Sequence, residues 1–417
     1  HGLAIDRILH PVVPVHRDAD GALESVDEAG NRESMIYIET ERADARERRE
    51  LVDDLTAALA DVRVAVADWR RMQATLAADA ASIEDVGGDA EGAALIRWFL
   101  DRHFTLLGHE RWLADGSSDG EPLGISRHEH EPPLLAERSR RLAMDYFNSG
   151  KSAPLLLKSS LLSPVHRRVP LDLVVVPICR GATVAGLSIH AGLWTSAALN
   201  APPRSVPVLR QRLADLEAKL GFDPLGHTGK ALTHALATLP HDLVTAVSAE
   251  SVEELALAAM SLADRPRPKL VLVRSALGRH LFAFAWVPRD DLSTARRVAI
   301  GDMLAEAANG SILNWSIALE DGRVALIRYT IDLRQSGVVP DVAPLDARLE
   351  KMVRGWERDV EAALAERITP SRAARLAIRW AGAFPPNYRN LSTAEEAAED
   401  VLRVSDLADE NDRAVHI

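Results

Sequence analysis

The run Leu281-Phe282-Ala283-Phe284-Ala285-Trp286 decides the fold. All six residues are apolar, so a strand built from them has two apolar faces. Such a strand needs cover on both sides. Helices close in sequence provide one cover, and the other comes from the helix at 345–364, the preceding module or a second subunit. We expect intrachain cover, because closing a short loop costs little conformational entropy.

Neighbouring patterns predict an ordered unit over 242–333. We predict a helix that begins in a capping box, Ser251-Val252-Glu253-Glu254, and a second one that begins at Ser293. Strands are predicted at 243–247, 270–274, 281–287, 312–319 and 324–333, the last two joined by a hairpin turn at Asp321-Gly322. The order β-α-β-β-α-β with an extra strand is that of the ferredoxin-like split βαβ unit, of which the ACT domain is one form. Both helices are expected on one face of the sheet.

Outward from this unit the chain is predicted to be multidomain α+β, with antiparallel sheets, ferredoxin-like units and helical linkers. Residues 1–85 indicate a hairpin followed by a long helix that carries one apolar stripe. Residues 86–202 indicate an α+β module with a sensor-like antiparallel sheet. Residues 203–343 contain a helical lead-in and the ACT-like unit, and 344–417 a helical motif.

Composition limits the class of protein. The chain has 417 residues, a net charge of −12 and a pI near 5.7, which argues against a general nucleic-acid binder. No segment reaches the roughly 18–20 apolar residues of a membrane span. The one cysteine, Cys179, is predicted to be a buried apolar residue, and such low cysteine use fits a cytoplasmic protein. Because the chain opens on His1, we expect a fragment.

Catalytic and cofactor motifs are absent from the sequence. No G-x-G-x-x-G is present, which argues against dinucleotide binding in this segment. Gly226-His227-Thr228-Gly229-Lys230 is similar to a P-loop but lacks its final Ser/Thr, so a helix N-terminus is the better interpretation. His128-Glu129-His130 could present two metal ligands, but a solvated loop is favoured. We therefore predict no catalytic, cofactor or metal residues.

One basic cluster is a candidate anion site. Lys158 lies near His166 and Arg167 in the sequence, and a third cation follows at Arg168. Such clusters are more often solvated faces or interdomain ion pairs. The same three residues, Lys158, His166 and Arg167, would also serve an unrecognised enzyme working from the middle sheet.

Short motifs along the whole chain resemble the N-terminal region of the large bacterial NAD-specific glutamate dehydrogenases. They are His10-Pro11-Val12, Arg17-Asp18, Glu33-Ser34-Met35-Ile36, Asp61-Val62-Arg63, Asp68-Trp69, Phe104-Thr105-Leu106-Leu107-Gly108, Ser163-Pro164-Val165-His166-Arg167, Gly192-Leu193-Trp194-Thr195-Ser196, Pro207-Val208-Leu209-Arg210, Gly229-Lys230-Ala231-Leu232, Val287-Pro288-Arg289-Asp290 and Ala383-Phe384-Pro385-Pro386. The sequence departs from the family at Leu239-Pro240-His241-Asp242, where an aromatic-Pro-Arg-Asp run is usual.

The resemblance implies a regulatory and assembly segment, in which residues 1–85 would be a truncated ACT-like domain and residues 86–202 a PAS-like or second ACT-like module. The full enzyme would oxidise L-glutamate with NAD to 2-oxoglutarate and ammonia, and its catalytic domain would lie outside this chain. NAD would then be a cofactor of the full enzyme only, and the expected partners are that domain, further copies of the chain and an amino-acid effector. The alternative is a free-standing amino-acid-sensing ACT protein, which the presence of a dehydrogenase domain downstream would exclude.

Overall fold

The computed structural model describes residues 3–85, 88–127, 132–151, 153–181, 183–319, 323–333, 338–353, 355–385, 388–389 and 392–407. It divides into two compact units: residues 1–67 with 164–166, and residues 68–163 with 167–417. Among the described helices, none combines the length and the apolar composition needed to cross a bilayer. The four-part division predicted from the sequence stays a prediction.

The smaller unit contains two small antiparallel sheets. The first pairs β1 (Ile5–Leu9) with β5 (Tyr37–Thr40), and the second places β2 (Val12–Arg17) between β3 (Leu23–Val26) and β4 (Asn31–Ser34). The single predicted hairpin is therefore wrong in detail. Asp18 and Asp27 each accept backbone N–H bonds two residues on, so the polar stretch makes two tight turns with a strand between them.

Helix α1 (Ala45–Asp85) carries the predicted apolar stripe. Its first half leaves Leu55, Leu59 and Val66 exposed, whereas Met72 and Leu76 are fully buried in the core of the larger unit. The helical period was predicted correctly, but periodicity alone does not show which part of a stripe is covered.

The middle sheet of the larger unit has five antiparallel strands in the order β7-β6-β10-β9-β8. Burial along β9 ends at Val176, so Cys179 is exposed and its predicted burial is wrong. The elements of this region are α2 (Ala90–Trp98), β6 (Phe104–Leu113), β7 (Leu123–Gly124), α3 (Glu137–Asn148), β8 (Leu155–Leu162), β9 (Pro170–Arg180) and β10 (Thr183–Trp194).

A helical connection follows, formed by α4 (Ser196–Leu199), α5 (Leu209–Leu220), α6 (His227–Ala237), α7 (His241–Val244) and α8 (Ala249–Asp264). The strand predicted over 243–247 is wrong, because that segment contains α7. Pro240 precedes this short helix with φ −69°, and Leu243, Val244 and Val247 are buried at helical spacing. Helix α8 begins at Ser248 rather than in the predicted capping box at Ser251, since the Ser248 hydroxyl accepts from the Ser251 N–H.

The C-terminal sheet contains β11 (Lys269–Arg274), β12 (His280–Pro288), β13 (Ser311–Leu319) and β14 (Val324–Asp332), in the order β11-β12-β14-β13. Helix α9 (Thr294–Ala307) joins β12 to β13, and α10 (Val342–Met352) returns from β14 to pack on β11. This is the strand order of a ferredoxin-like unit whose last strand has moved to the front of the sequence. The split βαβ arrangement is thus present in circularly permuted form.

Strand β12 is covered on both faces within the chain, as expected. Phe282, Phe284 and Trp286 enter a core shared with α8 and the middle sheet. Leu281, Ala283, Ala285 and Val287 enter a second core with α9 and α10. The expectation that the helices starting near 251 and 293 share one face is therefore wrong: α8 and α9 lie on opposite faces, and it is α10 that accompanies α9.

The described C-terminal helices are α11 (Trp356–Ala365), α12 (Pro370–Trp380) and α13 (Ala394–Ser405), which share a third core. The single helix expected over 345–364 is divided between α10 and α11. Gly355 is the extended N-cap of α11, which places the break just before Trp356. The predicted turn at Asp321-Gly322 lies outside the described residues.

Asp68 of α1 is a buried anchor whose removal should destabilise the larger unit. Its carboxylate accepts from the Gly124 N–H at 2.9 Å and from Arg127 Nη2 at 2.9 Å, and Asp68 is 4% exposed. We expect Asp68→Ala to lower the free energy of unfolding by about 2 kcal/mol in urea titrations, because a buried N–H and a guanidinium lose their acceptor. Glu121→Ala, which removes an exposed partner of the same Arg127, should cost less than about 1 kcal/mol.

The loss at Asp68 should depend on pH. The hydrogen bonds from Arg127 hold the pKa of Asp68 at about 2, below its ordinary value. The pKa of Asp68 is lower in the folded than in the unfolded state. Its ionised carboxylate therefore stabilises the fold fully above the unfolded-state pKa, and this stabilisation is lost as pH falls through the folded-state pKa. The difference between wild type and Asp68→Ala should therefore be constant from neutral pH down to about 4 and shrink below that. A difference that does not change at lower pH would contradict the assignment.

Candidate functional site

A buried ion triad joins the middle sheet to the helical connection. Lys158 on β8 lies directly across from Asp172 on β9, and its Nζ is 2.5 Å from Asp172 Oδ1. The same Nζ is 2.5 Å from Oδ2 of Asp242 on α7. The side chain of Lys158 is only 9% exposed. One ammonium thus ties two carboxylates from elements distant in sequence.

Burial and charge act in opposite directions on this triad. Burial disfavours the charged ammonium, but Asp172 and Asp242 outweigh it and raise the pKa of Lys158. Burial raises the pKa of Asp172 to about 6, although Lys158 opposes the shift. For Asp242 burial acts in the same upward direction, but Lys158 and Arg328 prevail and its pKa is lowered. Asp242 therefore remains the more firmly ionised carboxylate.

The C-terminal sheet supplies the opposite wall. Along β14 the residues alternate: Ile327 and Tyr329 enter the core formed with α9, while Arg328 and Thr330 face the other way. Arg328 pairs across the sheet with Ser316, and Thr330 with Asn314. The sheet face that is apolar on β12 becomes polar on β13 and β14.

A cavity of about 410 Å³ lies between these elements. Three buried polar atoms of its lining side chains have no hydrogen-bond partner among the described residues: Arg167 Nε, Arg328 Nε and Asp242 Oδ1. Buried polar groups normally find partners, so these atoms can bind a ligand or water. Two guanidinium donors and a carboxylate acceptor match the two charged groups of an α-amino acid.

The structure separates the predicted basic cluster. Lys158 and Arg167 line the cavity, and Arg167 Nη2 donates to the Trp194 carbonyl at 2.6 Å. His166 is exposed, with φ 70°, and is grouped with the smaller unit. Binding of an anion by these residues stays a prediction. The possible metal pair named from the sequence, His128 and His130, lies outside the described residues.

Sequence reasoning missed Asp172, Asp242 and Arg328. Asp172 is a lone charge within the apolar run 170–176, and Arg328 is a lone charge within 324–331. Isolated charges in otherwise apolar strands need a partner when buried, and that signal was available. Asp242 comes directly after His241, the residue at which the sequence departs from the family pattern. Nothing in the sequence predicts that Asp242 pairs with Lys158, which lies 84 residues away.

Four sequence models of glutamate dehydrogenase domains match the chain. They are the ACT1 domain at residues 1–55, helical motif 1 at 206–265, the ACT2 domain at 269–357 and helical motif 2 at 363–407. The residues matched by the ACT2 model begin with β11, which is the first strand of the permuted sheet. They do not include α7 or α8. Fold and site thus define a chain of ACT and helical-motif domains.

Curated relatives identify the family. The NAD-specific glutamate dehydrogenase of Halomonas elongata is 28% identical and is matched over 97% of this chain. Those of Pseudomonas aeruginosa and Mycobacterium tuberculosis are each 26% identical, over 98% and 99% of the chain. The chain belongs to the NAD-specific glutamate dehydrogenase family. It spans 27%, 27% and 26% of the length of these three relatives.

Replacing the central cation tests the ion triad. Lys158→Met keeps the bulk of the side chain but leaves two buried carboxylates without their shared partner. We expect the free energy of unfolding to fall by about 3–5 kcal/mol at pH 7. Without Lys158, the carboxylates bind protons more strongly in the folded than in the unfolded state, so the deficit should shrink as pH falls toward 5. Urea unfolding at several pH values measures it.

Two matched variants complete this test. Lys269→Met breaks a half-buried pair with Asp346 and should cost about 1 kcal/mol or less. Asp172→Asn in the Lys158→Met background should recover part of the loss, because it removes one of the stranded charges. Equal losses for Lys158→Met and Lys269→Met would show that the triad has no special role.

Proposed function

We propose that this chain is a regulatory and assembly segment of an NAD-dependent glutamate dehydrogenase and has no catalytic activity itself. In the whole protein, L-glutamate, NAD and water would give 2-oxoglutarate, ammonia and NADH. The names of the curated relatives and the absence of a dinucleotide fingerprint from this sequence support the proposal. We propose the cytoplasm as the location of the enzyme and a homo-oligomer as its assembly.

The observation that carries the regulatory role is the polar cavity between the two sheets. Its walls come from the middle sheet, α7 and the C-terminal sheet, so a bound molecule contacts three parts of the chain at once. A ligand shifts a conformational equilibrium only by its difference in affinity between the two states. A cavity at a junction provides that difference, because small movements of either wall change the distances to the ligand.

An amino acid is the ligand class that we propose for this cavity. Its carboxylate would accept from Arg167 and Arg328, and its ammonium would donate to the free oxygen of Asp242. Lys158 is neutralised by two carboxylates, so its part is to fix Asp242 rather than to bind the anion.

The purified chain should produce no NADH from glutamate and NAD. The reason is that the sequence has no nucleotide-binding motif. Absorbance of NADH during prolonged incubation measures this, with a full-length family member as the positive control. Glutamate-dependent NADH formation that survives further purification of the chain would refute the non-catalytic assignment.

Binding of amino acids should depend on Arg328. Calorimetric titration with a panel of amino acids is expected to reveal at least one ligand, which Arg328→Gln binds at least ~10-fold more weakly, since a charge-assisted hydrogen bond is lost. Arg348→Gln, on the exposed side of α10, is the matched control and should bind normally. Absence of binding by the entire panel, or equal binding by both variants, would contradict the effector site while leaving the non-catalytic assignment intact.

A further inference from the structure

A second cluster of buried polar side chains lies on the middle sheet, among elements of the larger unit. His109 on β6 and His190 on β10 are directly opposite each other across the sheet, with ring centroids 4.5 Å apart. Asp79 of α1 lies over this pair. One potential ligand atom from each of the three residues falls within 4.8 Å of the other two.

Short polar contacts connect the cluster. His190 Nε2 is 2.6 Å from Asp79 Oδ2, and the Ser188 hydroxyl donates to the same oxygen at 2.6 Å. Ser188 Oγ is also 3.0 Å from His109 Nε2. These contacts meet between α1 and the middle sheet. Asp79 supplies the only carboxylate among the four residues.

The cluster is deeply buried. His190 is 0% and His109 4% exposed. The Nδ1 atoms of both rings have no hydrogen-bond partner among the described residues. The contacts of Nε2 with Asp79 and Ser188 place the ring protons on Nε2, and the Nδ1 atoms are the positions to which those protons can move when Nε2 binds an ion.

Two imidazoles and one carboxylate are a ligand set for divalent transition metals. We propose that His109, His190 and Asp79 bind one Zn²⁺-class ion, which fastens the C-terminal half of α1 to the middle sheet. Ser188 orients the Asp79 carboxylate.

Metal binding would require only local movement. Zinc bonds to nitrogen and oxygen are about 2.0–2.2 Å long, so the ligand atoms of a tetrahedral site stand roughly 3.3 Å apart. The present 2.6 Å between His190 Nε2 and Asp79 Oδ2 is a hydrogen-bond distance and must widen slightly, while all three ligand atoms already lie within 4.8 Å of one another. In each ring the Nε2 proton moves to Nδ1 when Nε2 binds the ion, so each ring keeps one proton and no further reactant is needed.

The test uses the whole 417-residue chain, freed of metal by a chelator and titrated with Zn²⁺. We expect one ion per chain, a dissociation constant below about 10⁻⁶ M and a melting temperature that rises with Zn²⁺ concentration. Co²⁺ in place of Zn²⁺ should give the visible absorption of a tetrahedral nitrogen and oxygen site. Wild-type chain that binds no ion at micromolar Zn²⁺ would overturn the proposal without any variant.

Variants locate the ion. Asp79→Asn and His190→Gln should each weaken Zn²⁺ binding at least ~100-fold, with folding verified by circular dichroism. The matched control is the double variant His128→Gln/His130→Gln, which removes the other pair of closely spaced histidines, and it should keep one tight ion. If the control loses the ion while Asp79→Asn and His190→Gln retain it, the site is elsewhere and the proposal is wrong.

Discussion

The burial of β12 on both faces is the constraint on which the larger unit depends. Its large side chains, Phe282, Phe284 and Trp286, complete a core that continues into the middle sheet, and its small ones lie under α9 and α10. At roughly 1.5–3 kcal/mol for each large buried apolar side chain, these three contribute several kcal/mol. A strand of this kind cannot be an edge, and it lies between β11 and β14. The C-terminal sheet is therefore joined to the middle sheet by packing, not only by a linker.

That constraint also explains the position of the polar cavity. Apolar packing holds the two sheets together at β11 and β12, but on β13 and β14 the same face carries Asn314, Ser316 and Arg328. The opposing wall has the triad centred on Lys158. Burying charges is unfavourable unless they are paired, so both carboxylates depend on this one lysine. The unpaired atoms of Arg167, Arg328 and Asp242 remain beside a triad that is complete.

Patterns within a few residues predicted most helices and strands. Contacts between residues far apart in the sequence were not predicted. The termination of α5 at Gly221, with φ 66°, and the start of α9 at Ser293 follow from cap chemistry within a few residues. The assignment of 243–247 to a strand failed because a short apolar run fits helix and strand equally well. Lys158 pairs with Asp242, 84 positions away, and Asp79 approaches His190, 111 positions away. No rule of local spacing predicts contacts over such separations. The permuted strand order could not be predicted from spacing either.

The permuted strand order links one wall of the cavity to the helices that follow the sheet. In this strand order α10 must return across the sheet to β11, and Asp346 fixes it there by accepting from the Leu270 N–H and from Lys269, both at 2.7 Å. Strand β11 is hydrogen-bonded to β12, which in turn pairs with β14, the strand that carries Arg328. Under the proposed regulatory role, a ligand that shifted β14 would act on α10 through these two strand ladders. Helix α11 begins four residues after α10 ends, so the connection that would pass such a shift to the following helices is short.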